Sequence, residues 1–527
     1  MNLSWERLSG RLAWAIAAGA ATLVIIGMAL SLRWQVDHDL PIMLYDGWLV
    51  FGAGLAPYRQ VFEMNPPGTF LVYGTIDALT HGRNLPVRLF DIASMFALSG
   101  LTMLALRRHG PRAGLIAASV FLAGYLKLGQ QMALQREYLV LLPLALSLTL
   151  ALEARVRHAR RHQFVLGMLA AAVASVKPSL ALGWLVLSAG LCAREWSAAP
   201  AGVPRLRGAL AAALSFVAGA GVVGVLLWVF LARMGAVPAF VQVVRDYWPL
   251  YAQLDGHAYV APVPGVVSRI LSIVLGAFGA ISHVPFTLAA GAGAFALAFH
   301  ATDRERRIEV CVLAALLFVV ALHVSLSNKY WPYHYLPVRY VVALLAGACF
   351  SARWDDVVRR TWPALLVPVA LLACGVPLSE GRGQAPVRTA QPGGSGRTAD
   401  VKEGDVDVIT RYLRENLQPG DRVLPLDVTG GAVHAMYRTH TALAGRFLYD
   451  FHFYHHVSSP MIQALRHEVV TDLEQQPARL VVRFREPWRP SGMDCAADFP
   501  ALDSALTRGY RVALASDRFE ILERLEH

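Results

Sequence analysis

The feature that most constrains this chain is a run of nearly 400 residues with too few charges to face water. Residues 1–399 carry 33 Lys+Arg and 18 Asp+Glu, whereas the shorter stretch 400–527 carries 15 and 19. Soluble domains average about 25% charged residues; the tail meets that value and the first 399 positions reach about half of it. Apolar residues make up 55% of the chain, which excludes a water-soluble globule, a disordered chain and a disulfide scaffold. The sequence reads as a polytopic α-helical membrane protein with a small soluble α/β domain at its C-terminal end.

A helix needs about 20 apolar residues to cross a bilayer. Residues 12–32 qualify, with Arg7 and Arg11 in front of them, and are too long for the core of a signal peptide. Further spans are expected near 87–106, 113–128, 137–153, 163–176, 179–193, 208–231, 284–300, 308–326, 336–351 and 362–378. That makes about 11 transmembrane helices, or up to 13 if 66–80 and 265–282 also cross; both read as helices lying at the outer interface. Arg107/Arg108/Arg112, Arg155/Arg157/Arg160/Arg161, Arg194/Arg205/Arg207, Arg304/Arg306/Arg307 and Arg353/Arg359/Arg360 then share the side of the N-terminus. This is the positive-inside pattern of cytoplasmic loops, so the net charge of +11 reports topology rather than nucleic acid as a partner.

The expected organisation is a transmembrane domain over 1–378 with a first outer loop at 33–86, a Gly/Pro/Ser-rich linker at 379–399, and an α/β domain at 400–527. The N-terminus is expected in the cytoplasm and the tail outside. Within the tail, helices are expected over 406–416 and 460–475, and strands over 422–427, 479–484 and 510–515. Cys192, Cys311, Cys349 and Cys374 lie in or beside apolar segments and Cys495 is alone in the tail; without a CxxC pair, neither a zinc site nor a domain disulfide is expected.

Ionisable residues at membrane depth are costly and mark function by default, and here they gather at outer helix ends. The first outer loop opens with Trp34-Gln-Val-Asp37-His38-Asp39-Leu-Pro41, reaches Tyr45-Asp46, and continues through Gly54-Leu-Ala-Pro57-Tyr58-Arg59 to Glu63-Met-Asn65-Pro66-Pro67-Gly68. Carboxylates held at a membrane surface are partly desolvated and more basic, which suits a general base; a solvated interfacial loop with Pro/Gly turns has the same composition. Gln135-Arg136-Glu137, Lys177-Pro178 and Asn328-Lys329-Tyr-Trp-Pro-Tyr333-His334-Tyr-Leu-Pro337 place cations at three other outer junctions, against the positive-inside trend. One such cation commonly snorkels to lipid headgroups. Three flanking the same acidic loop are better explained by a phosphate or pyrophosphate. Arg245-Asp246 and Asp255-Gly-His257 read as ordinary loop residues. His452, His455 and His456, lacking a nearby cysteine or an HExxH spacing, read as part of an aromatic packing loop over 447–454.

These motifs resemble the GT-C class of integral-membrane glycosyltransferases, closest to bacterial relatives of the protein O-mannosyltransferases and of the lipid A aminoarabinose transferase. The acidic start of the first loop, G-x-x-P-Y-R at 54–59 and E-M-N-P-P-G at 63–68 carry the resemblance, with Q-R-E, K-P and K-x-W-x-Y-H-x-x-P in support. It implies transfer of a hexosyl or pentosyl group from a polyprenyl-phosphate donor to a glycan, lipid or protein acceptor, on the outer face of a bacterial inner membrane. It makes the acid after the first helix the base. Many relatives carry adjacent Asp-Glu where this chain has Asp37-His38-Asp39; register to the Pro-Tyr motif favours Asp39, with Asp37 second. Arg136, Lys177, Lys329, His334 and Arg59 are then expected on the donor phosphate. Asp46, Tyr58, Glu63, Asn65, Glu137 and Tyr333 are expected to position substrate. No cofactor or metal site is expected, a divalent cation being the one addition left open. A transporter or flippase for a lipid-linked or anionic substrate is the alternative, although such proteins usually show repeats and broken midplane helices, and the sequence shows no repeat. A non-catalytic assembly factor would need neither the acidic loop nor the cations.

Overall fold

The computed structural model describes residues 2–153, 159–198, 205–261, 265–284, scattered positions between 287 and 294, 304–348, 350, 404–485 and 488–525. The span expected at 362–378, most of that at 284–300, and the linker at 379–399 lie outside the described residues. The chain forms two compact units, one of Met1–Trp34, Arg88–Leu227 and Gly265–Gly383, the other of Gln35–Val87, Trp228–Pro264 and Gln384–His527. The first outer loop and the 228–264 segment therefore fold with the tail, a division that does not follow the sequence boundary at 378.

The first unit is helical. Four helices of the chain are long and apolar enough to cross a membrane: Trp14–Ser31, Asn84–Ala105, Arg207–Arg233 and Arg307–Ser327. Pro111–Leu128, Ala159–Ala174, Leu182–Ala198 and Leu336–Ala348 form at other expected spans but are shorter. The segment expected at 137–153 is helical from Arg136 to Glu153 and closes on a π turn at Thr149–Glu153. In a lipid setting helices gain no hydrophobic drive from meeting one another, so close backbone approach at small residues matters more. Gly167 and Gly219 supply it: a Cβ on Gly167 would stand 2.8 Å from the Phe216 carbonyl carbon, and one on Gly219 2.8 Å from that of Phe164. Alanine at either position would push these helices apart.

Three of the basic clusters meet at one end of this unit. Arg108 bonds Glu305 at 3.0 Å, His109 bonds Glu309 at 2.6 Å, and Arg194 reaches Glu305 at 3.9 Å while donating to the Ala151 carbonyl. Helix Arg304–Ser327 then carries the chain about 30 Å, at 1.5 Å per residue, to an opposite end. Shared placement of these basic loops was the sequence expectation, and acidic residues of a single helix join them.

The second unit is built on a five-stranded sheet in the order Ala442–Leu443, Arg422–Leu426, Leu480–Phe484, Phe519–Arg524, Tyr510–Ala515. The first three strands are parallel and the last two antiparallel, with Val423 opposite Leu480 and a bulge between Val512 and Leu514. Helices Asp405–Asn416, Ala432–Thr439, Pro460–Gln475 and Pro500–Gly509 complete the α/β tail. The sequence reading missed the second and fourth of these helices and the last strand. Asp427 explains the second. Its carboxylate accepts from the backbone amides of Val428, Gly430, Gly431 and Ala432, tying off the orphan donors where that helix begins. Gly431 takes φ +135° there, a conformation that L side chains rarely adopt.

The first outer loop joins this body through directional bonds. Phe62 donates its amide to the Arg446 carbonyl at 2.7 Å. The Arg446 guanidinium donates to the Tyr58 carbonyl at 2.9 Å and holds Glu468 bidentately at 2.6 and 2.7 Å. Tyr45 donates to the Thr441 carbonyl and Tyr437 to Asp77, each at 2.5 Å. Loop helices Leu40–Phe51 and Gly68–Thr80 cross where a Cβ on Gly47 would sit 2.6 Å from the Gly74 Cα. Tyr58, Phe62, Phe70, Tyr247, Phe447, Phe453, Ile462 and Leu465 share one apolar core. The three tail histidines are buried beside it: His452 and His455 both meet the Tyr247 hydroxyl, and His455 meets His456 at 2.9 Å. Phe62 and Phe451 pack on the His452 ring. Burial is the leading cause holding the His452 and His456 imidazoles below the usual histidine range.

Candidate active site

In the helical unit, three separate junctions deliver charge to one point. The amide of Lys177 bonds the Val173 carbonyl, and Pro178, which starts the 3-10 turn Pro178–Ala181, keeps Lys177 extended. Helix Arg304–Ser327 ends with Asn328 and Tyr330 in left-handed conformations, before a 3-10 turn over Pro332–Tyr335 presents His334. Leu134 is also left-handed, at φ +54°, a costly state for a branched residue. Its amide donates to the Tyr125 hydroxyl at 2.9 Å, and Arg136–Leu139 follows as a helical turn.

Glu137 is the meeting point. Its Oε1 lies 2.6 Å from Lys177 Nζ and 3.4 Å from His334 Nε2, and it is fully buried. His334 Nδ1 meets the Ser327 hydroxyl at 3.0 Å, and His323 Nδ1 meets that of Ser179 at 2.7 Å. The two imidazole rings are 5.7 Å apart, and Tyr333 stands edge-on to His334 at 4.7 Å. Arg136 is close enough to act electrostatically on Glu137. Lys329 is 94% buried, two residues beyond Ser327. One buried carboxylate thus sits among Arg136 and Lys177 with two imidazoles at hand, which suits an anion held by cations whose positions a carboxylate sets.

A second polar network fixes this corner. Arg88 pairs with Asp91 at 2.5 Å and lies over the Trp34 ring at 4.6 Å; Tyr125 donates to Asp91 at 2.9 Å. Tyr138, next to Glu137, bonds Ser94 at 2.9 Å and stacks on Tyr125 with ring centroids 4.2 Å apart. Sequence reasoning missed Arg88, Asp91, His323, Ser179 and Ser327. His323 and Asp91 had a legible signal, since each is ionisable inside an apolar run.

In the second unit, Asp37 is buried and its Oδ1 accepts the His38 amide at 2.7 Å, with His38 left-handed at φ +59°. Asp39 occupies the N-cap position of helix Leu40–Phe51, yet its carboxylate makes no cap bond and pairs instead with His38 Nδ1 at 2.9 Å. Asp37 and His38 line a cavity of about 10 Å³ with Asp427 and His434; this is room for about one water. Asp46 is fully buried in the same loop helix. Glu63 and Asn65 are turned on their own loop: Glu63 Oε1 accepts from the Met64 and Asn65 amides and from Asn65 Nδ2 at 2.7–3.0 Å. Tyr58, left-handed at φ +62°, donates to the Asn65 carbonyl at 2.7 Å. Burial, helped by Glu63 and Asp46, holds the Tyr58 hydroxyl well above the usual tyrosine range. Arg59 is exposed, its guanidinium near Gly235. Among the described residues no group of three or more His, Cys, Asp or Glu is arranged to hold a metal ion.

A helical unit with this buried cluster, joined in one chain to a mixed α/β unit, is the fold of a GT-C class integral-membrane glycosyltransferase. Among solved structures, the chain is similar to ArnT from Cupriavidus metallidurans in its crystal structure bound to undecaprenyl phosphate. The match has a TM-score of 0.56, covers 97% of either chain and carries 14% sequence identity. No family model matches the chain, and no curated protein matches it in sequence.

Proposed function

We propose that this protein is a glycosyltransferase of the outer face of a bacterial inner membrane, moving a sugar from a polyprenyl-phosphate donor to a glycan, lipid or protein acceptor. The observation that carries the reading is the buried meeting of Glu137, Lys177 and His334 from three junctions, in a fold shared with a protein crystallised with undecaprenyl phosphate. Arg136, Lys177, Lys329 and His334 receive the donor phosphate in this reading. Glu137 positions the Lys177 ammonium and keeps the cluster's net charge low while the site is empty.

The chemistry follows from those roles. Asp39 takes the proton of the acceptor hydroxyl as its oxygen attacks the anomeric carbon, and the bond from that carbon to the phosphate oxygen breaks. Charge grows on the leaving phosphate, where fixed cations stabilise it without the need for an acid. Asp37 holds the His38 turn from which Asp39 projects and is the second choice for the base.

The test supplies purified protein with labelled polyprenyl-phosphate sugars. Asp39→Asn is expected to lower transfer by about 10²–10⁴ while donor binding stays at the wild-type level; Asp37→Asn is expected to be the next most damaging. Wild-type turnover in both variants and in their combination would remove the base assignment.

A further inference from the structure

The second unit contains a cleft of about 380 Å³ that none of the assigned roles uses. It is bounded by the end of the first outer loop and by the tail helices Asp405–Asn416 and Ala432–Thr439. Its volume falls within the range of small-molecule sites, roughly 300–1,000 Å³, and exceeds what a single inorganic ion needs.

The walls are basic where the surrounding sequence is not. The tail carries 15 basic and 19 acidic residues, yet the lining includes Arg83, Arg414 and Arg438, with His81, His434 and His440 beside them. Asp407 is the one acidic residue in the lining, and it is paired with Arg438 at 2.7 Å. Arg83 and Arg414 therefore leave the wall with two net positive charges. Guanidinium groups match phosphate oxygens as rigid forks, better than any other side chain.

The cleft is also held in shape. Gly82 adopts φ +60° against the Tyr437 ring, and Tyr437 is anchored on Asp77 at 2.5 Å. Asn84 accepts the Val36 amide at 3.0 Å and bonds the Gln35 side chain. Fixed walls lower the ordering cost of capturing a ligand. His434 lines both this cleft and the small cavity at Asp37 and His38, so the basic walls adjoin the loop that carries the proposed base.

We infer that this cleft binds a phosphate monoester carried by the acceptor. Only the word acceptor rests on the glycosyltransferase reading; the anion site stands on the cleft itself. The phosphate can be borne by a sugar or by a lipid, and both present the same oxygens to Arg83 and Arg414.

Full-length protein in a neutral detergent is titrated calorimetrically with glucose 6-phosphate, with dihexanoyl phosphatidic acid, and with glucose as the uncharged control. At least one phosphorylated probe is expected to bind, more weakly as salt is raised, and glucose is expected not to. Binding of the sugar phosphate points to a glycan source and binding of the short lipid to a lipid source; either supports the inference. Arg83→Gln combined with Arg414→Gln should weaken the bound probe tenfold or more, and each single variant should weaken it by part of that, which keeps the test decisive if the double variant does not fold. Failure of both phosphorylated probes to bind, or wild-type affinity in the variants, overturns the site. If Arg83- and Arg414-dependent binding persists while no sugar transfer is found with any donor, the anion site survives and the glycosyltransferase reading is what fails.

Discussion

The Lys177–Glu137 pair separates a structural role from a donor-binding one. Glu137 is fully buried, the Lys177 side chain is 13% exposed, and their charged atoms are 2.6 Å apart. Removing one partner of a buried pair costs roughly 3–5 kcal/mol, because the other charge is left without compensation. Lys177→Met should therefore cost about 3 kcal/mol of stability, at the low end because His334 stays 3.4 Å from the same carboxylate oxygen. Glu137→Gln alone should cost less, and the double variant should recover about half of the Lys177→Met loss. The resulting coupling, about 2 kcal/mol, lies well above the ~0.6 kcal/mol average of interhelical hydrogen bonds in a membrane protein. Donor affinity should behave differently. A charge-assisted contact to the phosphate contributes about 1.5–3 kcal/mol, so Lys177→Met should weaken donor binding roughly 10- to 100-fold, and the double variant should stay weak. Unfolding in detergent gives the first quantity and equilibrium binding of a polyprenyl-phosphate sugar the second. Additive stabilities within about 0.5 kcal/mol would refute the dry ion pair. Donor affinity restored together with stability in the double variant would refute the phosphate contact and leave Lys177 a structural residue.

Burial lifts the Asp450 carboxyl from 3.8 to about 6 against the opposing charge of Arg489. The folded chain thus binds a proton that the unfolded chain releases, so this group's stabilisation is full below pH 4 and lost as pH rises to 6, about 3 kcal/mol in all. Comparing thermal unfolding of wild type and Asp450→Asn between pH 4 and 7 should show that slope removed in the variant; parallel profiles would contradict it. Asp427→Ala strips four backbone amides of their acceptor and should cost roughly 2–4 kcal/mol. Faster hydrogen exchange concentrated in Ala432–Thr439 would mark the cause, and unchanged protection there would dismiss it. A topology reporter fused after Ala399 should be active only outside the cytoplasm, as an odd number of spans requires; cytoplasmic activity would reverse the assigned orientation.

Much of the tail was legible because local patterns and final structure agree. The helix expected at 460–475 and the strand at 510–515 form with those bounds, since apolar periodicity and flanking turn residues act over a few positions. Helix Ala432–Thr439 was not legible, because its start depends on a side-chain cap from Asp427, four residues before Gly431. The polar residues of the candidate site were legible as outer helix ends. Their grouping was partly so: Arg136, Lys177 and His334 were expected to share a target, but Glu137 at their centre was expected only among residues positioning substrate.

The sequence alone determined the solvent of each part of this protein, because charge and apolar content are additive along the chain and need no knowledge of packing. It also determined which residues sit at helix ends, since span length is fixed by bilayer thickness and helical rise. Only the tertiary structure decided which helix ends meet, that Asp91 and Arg88 are buried partners beneath Tyr125 and Tyr138, and that the first outer loop folds with the tail. Those outcomes rest on contacts between residues tens to hundreds of positions apart, such as Tyr45 with Thr441 and Glu137 with His334. No local pattern encodes them, because the energy of a buried polar group depends on the partner that packing brings to it.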